Sequence, residues 1–366
     1  MTKKIQAATS QTQLIPKVFD SVRIHRDLAP VLALHAANPT NSYLLLGPQG
    51  SGKAEWASAF AAALMCSDGG CGVCNICLGA MARSHPDLNV VANNDGALSV
   101  DQARQAIRYS LLSPNEARHR VVIIDEFDNI GRVGVVLLKA IEEPPLRTVF
   151  VLSGTHVSKE MATIASRCVK VEFSRLGVQE ISEYLREKGI DEVDAFQAAS
   201  ISQGSLTRAL ELSRGGFFKP RMDMWTRASR SHFQDGSLLM GMVIEILRFV
   251  GKVTAARKVE NDQRLEQMTA NLRASTSSKG ILRELEARLT RELKWSRRTE
   301  IELGIAIMAT EYKVVFGDVS NFSAQYLKYE RFLILATEAR RRLGAQVSET
   351  LVLANLLGGA EAISLR

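Results

Sequence analysis

The chain has 366 residues, 46% of them hydrophobic and 23% charged, enough to bury a sizeable core and to divide into two or three domains. Its net charge of +7 is compatible with a nucleic-acid partner but does not demand one, because Lys and Arg are interleaved with Asp and Glu throughout. No uncharged apolar run is long enough to cross a bilayer, and MTKKIQAATSQTQ has no apolar stretch behind its lysines, so the expectation is a cytoplasmic protein with no membrane partner.

Residues 1–20 are polar and read as a lightly docked leader. RIHRDLAPVLALHAANP (23–39) has the spacing of an amphipathic helix ending before Pro39, with Pro30 tolerated near its first turn. SYLLLG (42–47) is a short apolar run between turn residues, the form of a buried parallel strand. After a Gly-rich stretch, KAEWASAFAAALMC reads as a helix. DLNVVAN is a second strand, and SVDQARQAIRYSLLS a helix that Ser99 caps with Gln102 three residues on. RVVIIDE (120–126) is a strand ending in two carboxylates, VGVVLLKAIEEPP a helix closed by Pro144 and Pro145, and TVFVLSG (148–154) another buried strand. Strands alternating with helices predict an α/β fold with a parallel sheet and right-handed crossovers.

From about 174 the strand signals fade. GVQEISEYLREKGI and DAFQAASISQGSLTRALELSR read as short helices of a small lid. From GGFFKP (215–220) nearly everything has helical period, broken by the polar loop RASTSSKG (273–280). The expected division is an α/β domain over 1–173, a helical lid over 174–214 and an all-helical domain over 215–366.

GPQGSGKA (47–54) meets the phosphate-loop pattern G-x-x-x-x-G-K-[ST] at Gly47, Gly52 and Lys53 and departs from it at Ala54. Backbone N–H groups of Gly50, Ser51, Gly52, Lys53 and Ala54, at the start of a helix, would form a nest for phosphates, with Lys53 reaching their outer oxygens. The plain alternative is a Gly-rich turn between strand and helix. The strand before, the helix after and the acidic strand end favour the nucleotide reading. Asp125 would hold magnesium and Glu126 would polarise water, whereas in isolation two acids at a strand end say little. Ala54 offers no hydroxyl to a metal, so hydrolysis of ATP with Mg2+ suffers more than binding, and the loop reads as a binder or a relic rather than an engine.

Four of the five cysteines fall in C-x4-C-x2-C-x2-C: Cys66, Cys71, Cys74 and Cys77. Four thiolates so close suit a closed structural zinc site, with an iron–sulfur cluster as the chemical alternative. Cys168 stands apart and reads as a small buried hydrophobe.

The placement of that cluster behind the phosphate loop resembles the bacterial DNA polymerase III clamp loader, together with SYLLLGPQGSGK, HPDLNVV, HRVVIIDEFDNI, VVLLKAIEEPPLRTVFVLSGT and TIASRCVKVEF. These segments cover about residues 40–173, and GSLTRAL (204–210) extends them. EEPP followed by SRC is the most specific pairing. The resemblance implies an AAA+ domain with an inserted zinc module, a helical lid and a helical collar that assembles with other subunits. It also implies that Arg167 of SRC is an arginine finger acting in a neighbour's ATP site; read alone, it is an Arg pairing with a nearby acid. Thr155 lies where a sensor polar residue sits, although SGTH departs from the usual ATT. Arg208 matches a second sensor and equally an exposed lid arginine.

Ala54 beside a retained Arg167 resembles the delta-prime type, a subunit that assembles with gamma or tau and delta to load the sliding clamp onto primed DNA and does not itself hydrolyse ATP. An ATP-hydrolysing gamma-type subunit is the alternative. A zinc module that binds nucleic acid directly is disfavoured, because Arg83 is the only Lys or Arg between residues 60 and 90. The arginines of RLTRELKWSRR (288–298) could face phosphate, but Glu292 and Glu300 nearby favour a solvated helix face.

Overall fold

The computed structural model describes residues 15–91, 98–128, 133–233, 235–272, 278–316, 324–345 and 347–365. The leader up to residue 14 and most of the polar loop at 273–277 lie outside them. The chain divides into two compact units. One runs to Gly189 and takes in Gln203–Thr207; the other holds Ile190–Ser202 and the chain from Arg208 onward.

In the first unit, helix α1 (Ala29–Ala37) precedes strand β1 (Ser42–Leu46), and helix α2 (Lys53–Met65) follows. Then come α3 (Asn75–Met81), β2 (Leu88–Val91), α4 (Val100–Ser110), β3 (Arg120–Ile124), α5 (Val133–Glu142), β4 (Thr148–Gly154), α6 (Ala162–Ala165), β5 (Val169–Glu172) and α7 (Val178–Glu187). The five strands form one sheet in the order β2-β3-β4-β1-β5, every pair parallel. Tyr43 lies opposite Val151 on one side and Val169 on the other, and Ile124 lies opposite Leu152. Helices cover both faces, so β3 and β4 are buried along their whole length and read as unbroken apolar runs.

The Ala-rich sequence of α2 has a structural reason. Every residue from Trp56 to Met65 is buried, and small side chains let the sheet, α1 and α3 approach its backbone on all sides. Trp56 is the anchor: its indole N–H donates to the Ile24 carbonyl at 2.9 Å, and Phe19 meets its ring edge-on. The amphipathic helix expected over 23–39 is shorter than its pattern, because Pro30 has no N–H to give and falls at the start of α1. The residues before it dock instead as two short 3-10 turns, with the His25 N–H donating to Glu180 on α7. Ser99 and Gln102 make the expected capping box on α4. Strand β5 follows Arg167, as the sequence places it, though VKVE is short and alternates exposed with buried positions at the sheet edge.

At the foot of β2 and β3, Asp87 and Arg120 form a buried ion pair at 2.9 Å. Asp87 also accepts the backbone N–H groups of Asn115, Glu116 and Ala117. Burial pushes its carboxyl up, but those N–H groups and the Arg120 guanidinium outweigh burial and hold it below the usual carboxylate range.

In the second unit, α8 (Glu192–Ile201) and α9 (Leu206–Ser213), whose first two residues belong to the first unit, precede α10 (Phe218–Arg230), α11 (Gly236–Leu272), α12 (Ser278–Phe316), α13 (Ala324–Gly344) and α14 (Glu349–Leu365). The C-terminal region is helical as expected. Gly304 on α12 leaves room for the fully buried Trp225 of α10: a Cβ there would come within 1.8 Å of the indole ring. The Arg221 side chain is 2% exposed, and its fork meets both oxygens of Glu300 at 2.7 and 2.8 Å. Glu300, which sequence spacing assigned to a solvated face, is thus a core residue. Arg297 and Arg298 of the same basic stretch pair with Glu349 and Glu302. Among the described residues no helix is long and apolar enough to cross a membrane.

Replacing Asp87 with Asn should cost about 3–5 kcal/mol, because it strands a buried Arg120 charge. A carboxylate with a lowered folded pKa stabilises above its unfolded value near 3.9, and that contribution disappears as pH falls through the folded value. The gap between wild type and Asp87→Asn in denaturant melts should therefore be full at neutral pH and close progressively below about pH 4.

Candidate functional site

Parallel strands all end on one rim of the sheet, and the nucleotide-type residues gather there. Gly47 follows β1, Asp125 and Glu126 follow β3, and Thr155 follows β4. The loop between β1 and α2 needs glycine for two separate reasons. At Gly50, φ is +76° and a Cβ would lie 2.0 Å from the Ser205 hydroxyl; at Gly52, φ is +85° and a Cβ would meet Ile24 at 2.0 Å. Leu206 donates its N–H to the Gly50 carbonyl at 2.7 Å, tying the loop down.

Lys53 folds back across this loop and donates to the carbonyls of Gly47 and Pro48 at 2.6 and 2.7 Å. Burial pulls its ammonium below the usual lysine range, against the carboxylates of Asp128, Glu126 and Asp125, which favour the charge. The Ser51 hydroxyl is buried beside it with no partner among the described residues. Glu126 sits at φ 53°, and its carboxylate accepts from the Gln49 amide at 3.1 Å. Burial pushes the Glu126 carboxyl up, and the nearby Asp125 and Asp128 charges push the same way, while the Gln49 bond and Lys53 work against them. Thr155 gives both its N–H and its hydroxyl to Asp128, at 2.6 and 3.0 Å.

The Asp125 carboxylate is already occupied. One oxygen accepts from the Ser153 hydroxyl at 3.2 Å, and the other takes the Arg83 guanidinium at 2.5 Å. Arg83 also donates to the carbonyl of Ala54 and to the Ser58 hydroxyl, at 2.8 and 2.9 Å.

The four cysteines converge as well. Their sulfurs all lie within 4.8 Å of one another, with 3.8 Å between Cys66 and Cys71, 3.7 Å between Cys66 and Cys74, and 4.0 Å between Cys71 and Cys77. A tetrahedron with Zn–S bonds of about 2.3 Å has edges of about 3.8 Å, so the donor set fits a zinc ion held by these residues. Cys74 caps α3 by accepting the Cys77 N–H, which explains the two-residue spacing. Backbone N–H groups of Val73 and Cys74 pull the Cys71 thiol down to about 7, whereas burial pushes Cys74 and Cys77 up. Four thiolates cannot share this space without a cation between them. Cys168 packs half-buried against the core of the sheet.

Arg167 lies on the opposite rim. It precedes β5, whose Val169 pairs with Tyr43 near the start of β1, whereas the phosphate loop follows the end of β1. Five strand residues, roughly 16 Å, separate the two rims. The guanidinium is 37% exposed, pairs with Glu142 of EEPP, and donates to the Thr163 carbonyl at 2.8 Å. It borders an open depression of about 460 Å³ that Thr40, Ser42 and Cys168 also line.

The profile of the family described as "DNA polymerase III, delta subunit" matches residues 31–177. The DNA polymerase III subunit tau of Bacillus subtilis (strain 168) is 32% identical over 211 residues, covering 55% of this chain and 36% of its own length. The delta' subunit of Pseudomonas aeruginosa is 32% identical over 195 residues, covering 50% of this chain and 59% of its own. The tau subunit of Escherichia coli (strain K12) is 32% identical over 224 residues, covering 58% and 34%. Over this segment the chain is similar to subunits of the DNA polymerase III clamp loader. It spans between 34% and 59% of these relatives' lengths. Tau and delta' match at the same 32% identity, so percentage alone does not separate the subtypes.

This rim therefore carries residue types of a nucleotide site but no seat for a metal. The donor types at the loop suit phosphate oxygens: Lys53, backbone N–H groups and the buried Ser51 hydroxyl, which has no partner among the described residues. Magnesium does not fit: Ala54 brings no side-chain oxygen, and Asp125 is held by Arg83. Arg208 lies in the second unit, where it donates to the Ser202 carbonyl at 3.2 Å. Asp128 and Arg83 are the residues that motif reading passed over. Arg83 had one signal, as the only Lys or Arg within the cysteine-bearing stretch.

Elemental analysis of the purified chain should find about one zinc per molecule. Cys77→Ser should lose that metal, and cobalt substituted for zinc should give the absorption of tetrahedral thiolate. An iron signal in its place would overturn the zinc assignment.

Proposed function

We propose that this chain is a delta-prime-like subunit of the DNA polymerase III clamp loader. It assembles with gamma or tau and delta subunits through its helical region from about residue 215 onward, and helps place the sliding clamp on primed DNA in the cytoplasm. In this reading residues 1–173 form the AAA+ domain, and the helices of 174–214 act as its lid. The chain does not hydrolyse ATP; it presents Arg167 to a neighbour's γ-phosphate.

The observation that carries this reading is the pairing of a phosphate loop that has no metal seat with an arginine on the far rim of the same sheet. Arg167 stands across the sheet from its own loop, which suits action on another subunit. A planar guanidinium fits the charge that builds on a transferring phosphoryl group, and Glu142 would release it when a stronger anion arrives. Thr155, held by Asp128, and Arg208 take sensor positions in this scheme, subordinate to Arg167. A gamma-type subunit that hydrolyses ATP itself is the second reading, favoured only by the retention of Lys53, Asp125 and Glu126.

Purified alone, the chain should show no ATP turnover above background. Mixed with its partner subunits, clamp and primed DNA, it should support ATPase that falls by about a thousandfold with Arg167→Ala. Measurable turnover by the chain alone that is lost with Lys53→Ala would establish the gamma-type reading instead.

A further inference from the structure

The Arg83 contacts form a built arrangement rather than a chance surface pair. The Arg83 and Asp125 side chains are only 23% and 14% exposed. The guanidinium meets three acceptors: the Asp125 carboxylate, the Ser58 hydroxyl and the carbonyl of Ala54. Ser58 is one helical turn beyond Ala54, so the arginine lies along the first turn of α2, beside the residue whose side chain lacks the hydroxyl of the loop pattern. It does so from a backbone φ of 57°, which disfavours any residue carrying a Cβ. A strained residue held by three bonds is over-determined by its surroundings.

We propose that Arg83 is a resident cation that takes the place of magnesium at Asp125, so that the loop accepts at most a metal-free nucleoside di- or triphosphate. The inference rests on reading residues 47–54 as a nucleotide-type loop. A divalent ion at Asp125 would need the oxygen that Arg83 holds, and would sit against a fixed positive charge. Ala54 and Arg83 are therefore two halves of one exchange. A hydroxyl restored at position 54 meets a carboxylate that is still taken, so repairing the loop motif by itself does not rebuild a metal site.

The test uses the full chain and fluorescence titration with N-methylanthraniloyl-ADP, in excess magnesium and in EDTA. Wild type and Ala54→Thr should bind equally in both, within about twofold. The double variant Ala54→Thr with Arg83→Gly should bind roughly tenfold more tightly with magnesium than with EDTA. Glycine suits the positive φ, so circular dichroism and thermal melting should report a native fold. If that variant does not fold, Ala54→Thr with Arg83→Gln keeps the side-chain stem, removes the charge and should give the same magnesium dependence. Magnesium dependence in Ala54→Thr alone equal to that of the double variant would overturn the role of Arg83, as would no magnesium dependence in a folded double variant. Either result leaves the assignment of Arg167 intact. A reconstituted complex whose ATPase ignores Arg167→Ala would remove the finger assignment and leave Arg83 untouched.

Discussion

A sheet whose strands all run one way separates its two rims, and that constraint governs everything else in the first unit. Each carboxyl end opens toward the same side, so a loop after β1, acids after β3 and a hydroxyl after β4 become neighbours without being close in sequence. The opposite rim collects what precedes the strands, and Arg167 is there. No side chain is long enough to cross from one rim to the other. The separation of the glycine-rich loop from the guanidinium of Arg167 is thus a property of topology before it is a property of any residue.

The carboxyl rim then faces a charge problem of its own. Asp125, Glu126 and Asp128 crowd into a partly buried region, and carboxylates so placed need positive charge. Lys53 and Arg83 supply it from within the chain, one from the start of α2 and one from the segment behind the cysteine cluster. The rim is close to electrically self-sufficient. The same arrangement gives the cysteine module a role at this rim, because its last helix delivers Arg83.

Where a pattern has one physical meaning, the sequence disclosed it. Unbroken apolar runs became β1, β3 and β4, because a strand covered on both faces has no solvent side to alternate with. The Ser99 box and the proline stop after α5 were legible for the same reason, each resting on local backbone chemistry. The four thiols were legible because ligand spacing is local too. Strand β5 was only faintly marked because an edge strand of four residues alternates weakly, and the helix before β1 was overdrawn because periodicity ignores the N–H that Pro30 lacks. Arg83 and Glu300 were missed for a deeper reason. Their partners, Asp125 and Arg221, are 42 and 79 positions away, and a charge's role depends on what folding puts beside it.

The buried fork of Arg221 on Glu300 bears on how this helical region can change over time. Losing either partner leaves an unpaired charge in the core, which is among the most damaging single substitutions a fold can suffer. Replacing both with apolar residues of similar volume is by contrast often neutral or stabilising. Between those two acceptable cores lies a valley that single steps cannot cross without loss. The pair should therefore vary together among descendants of this chain, or not at all.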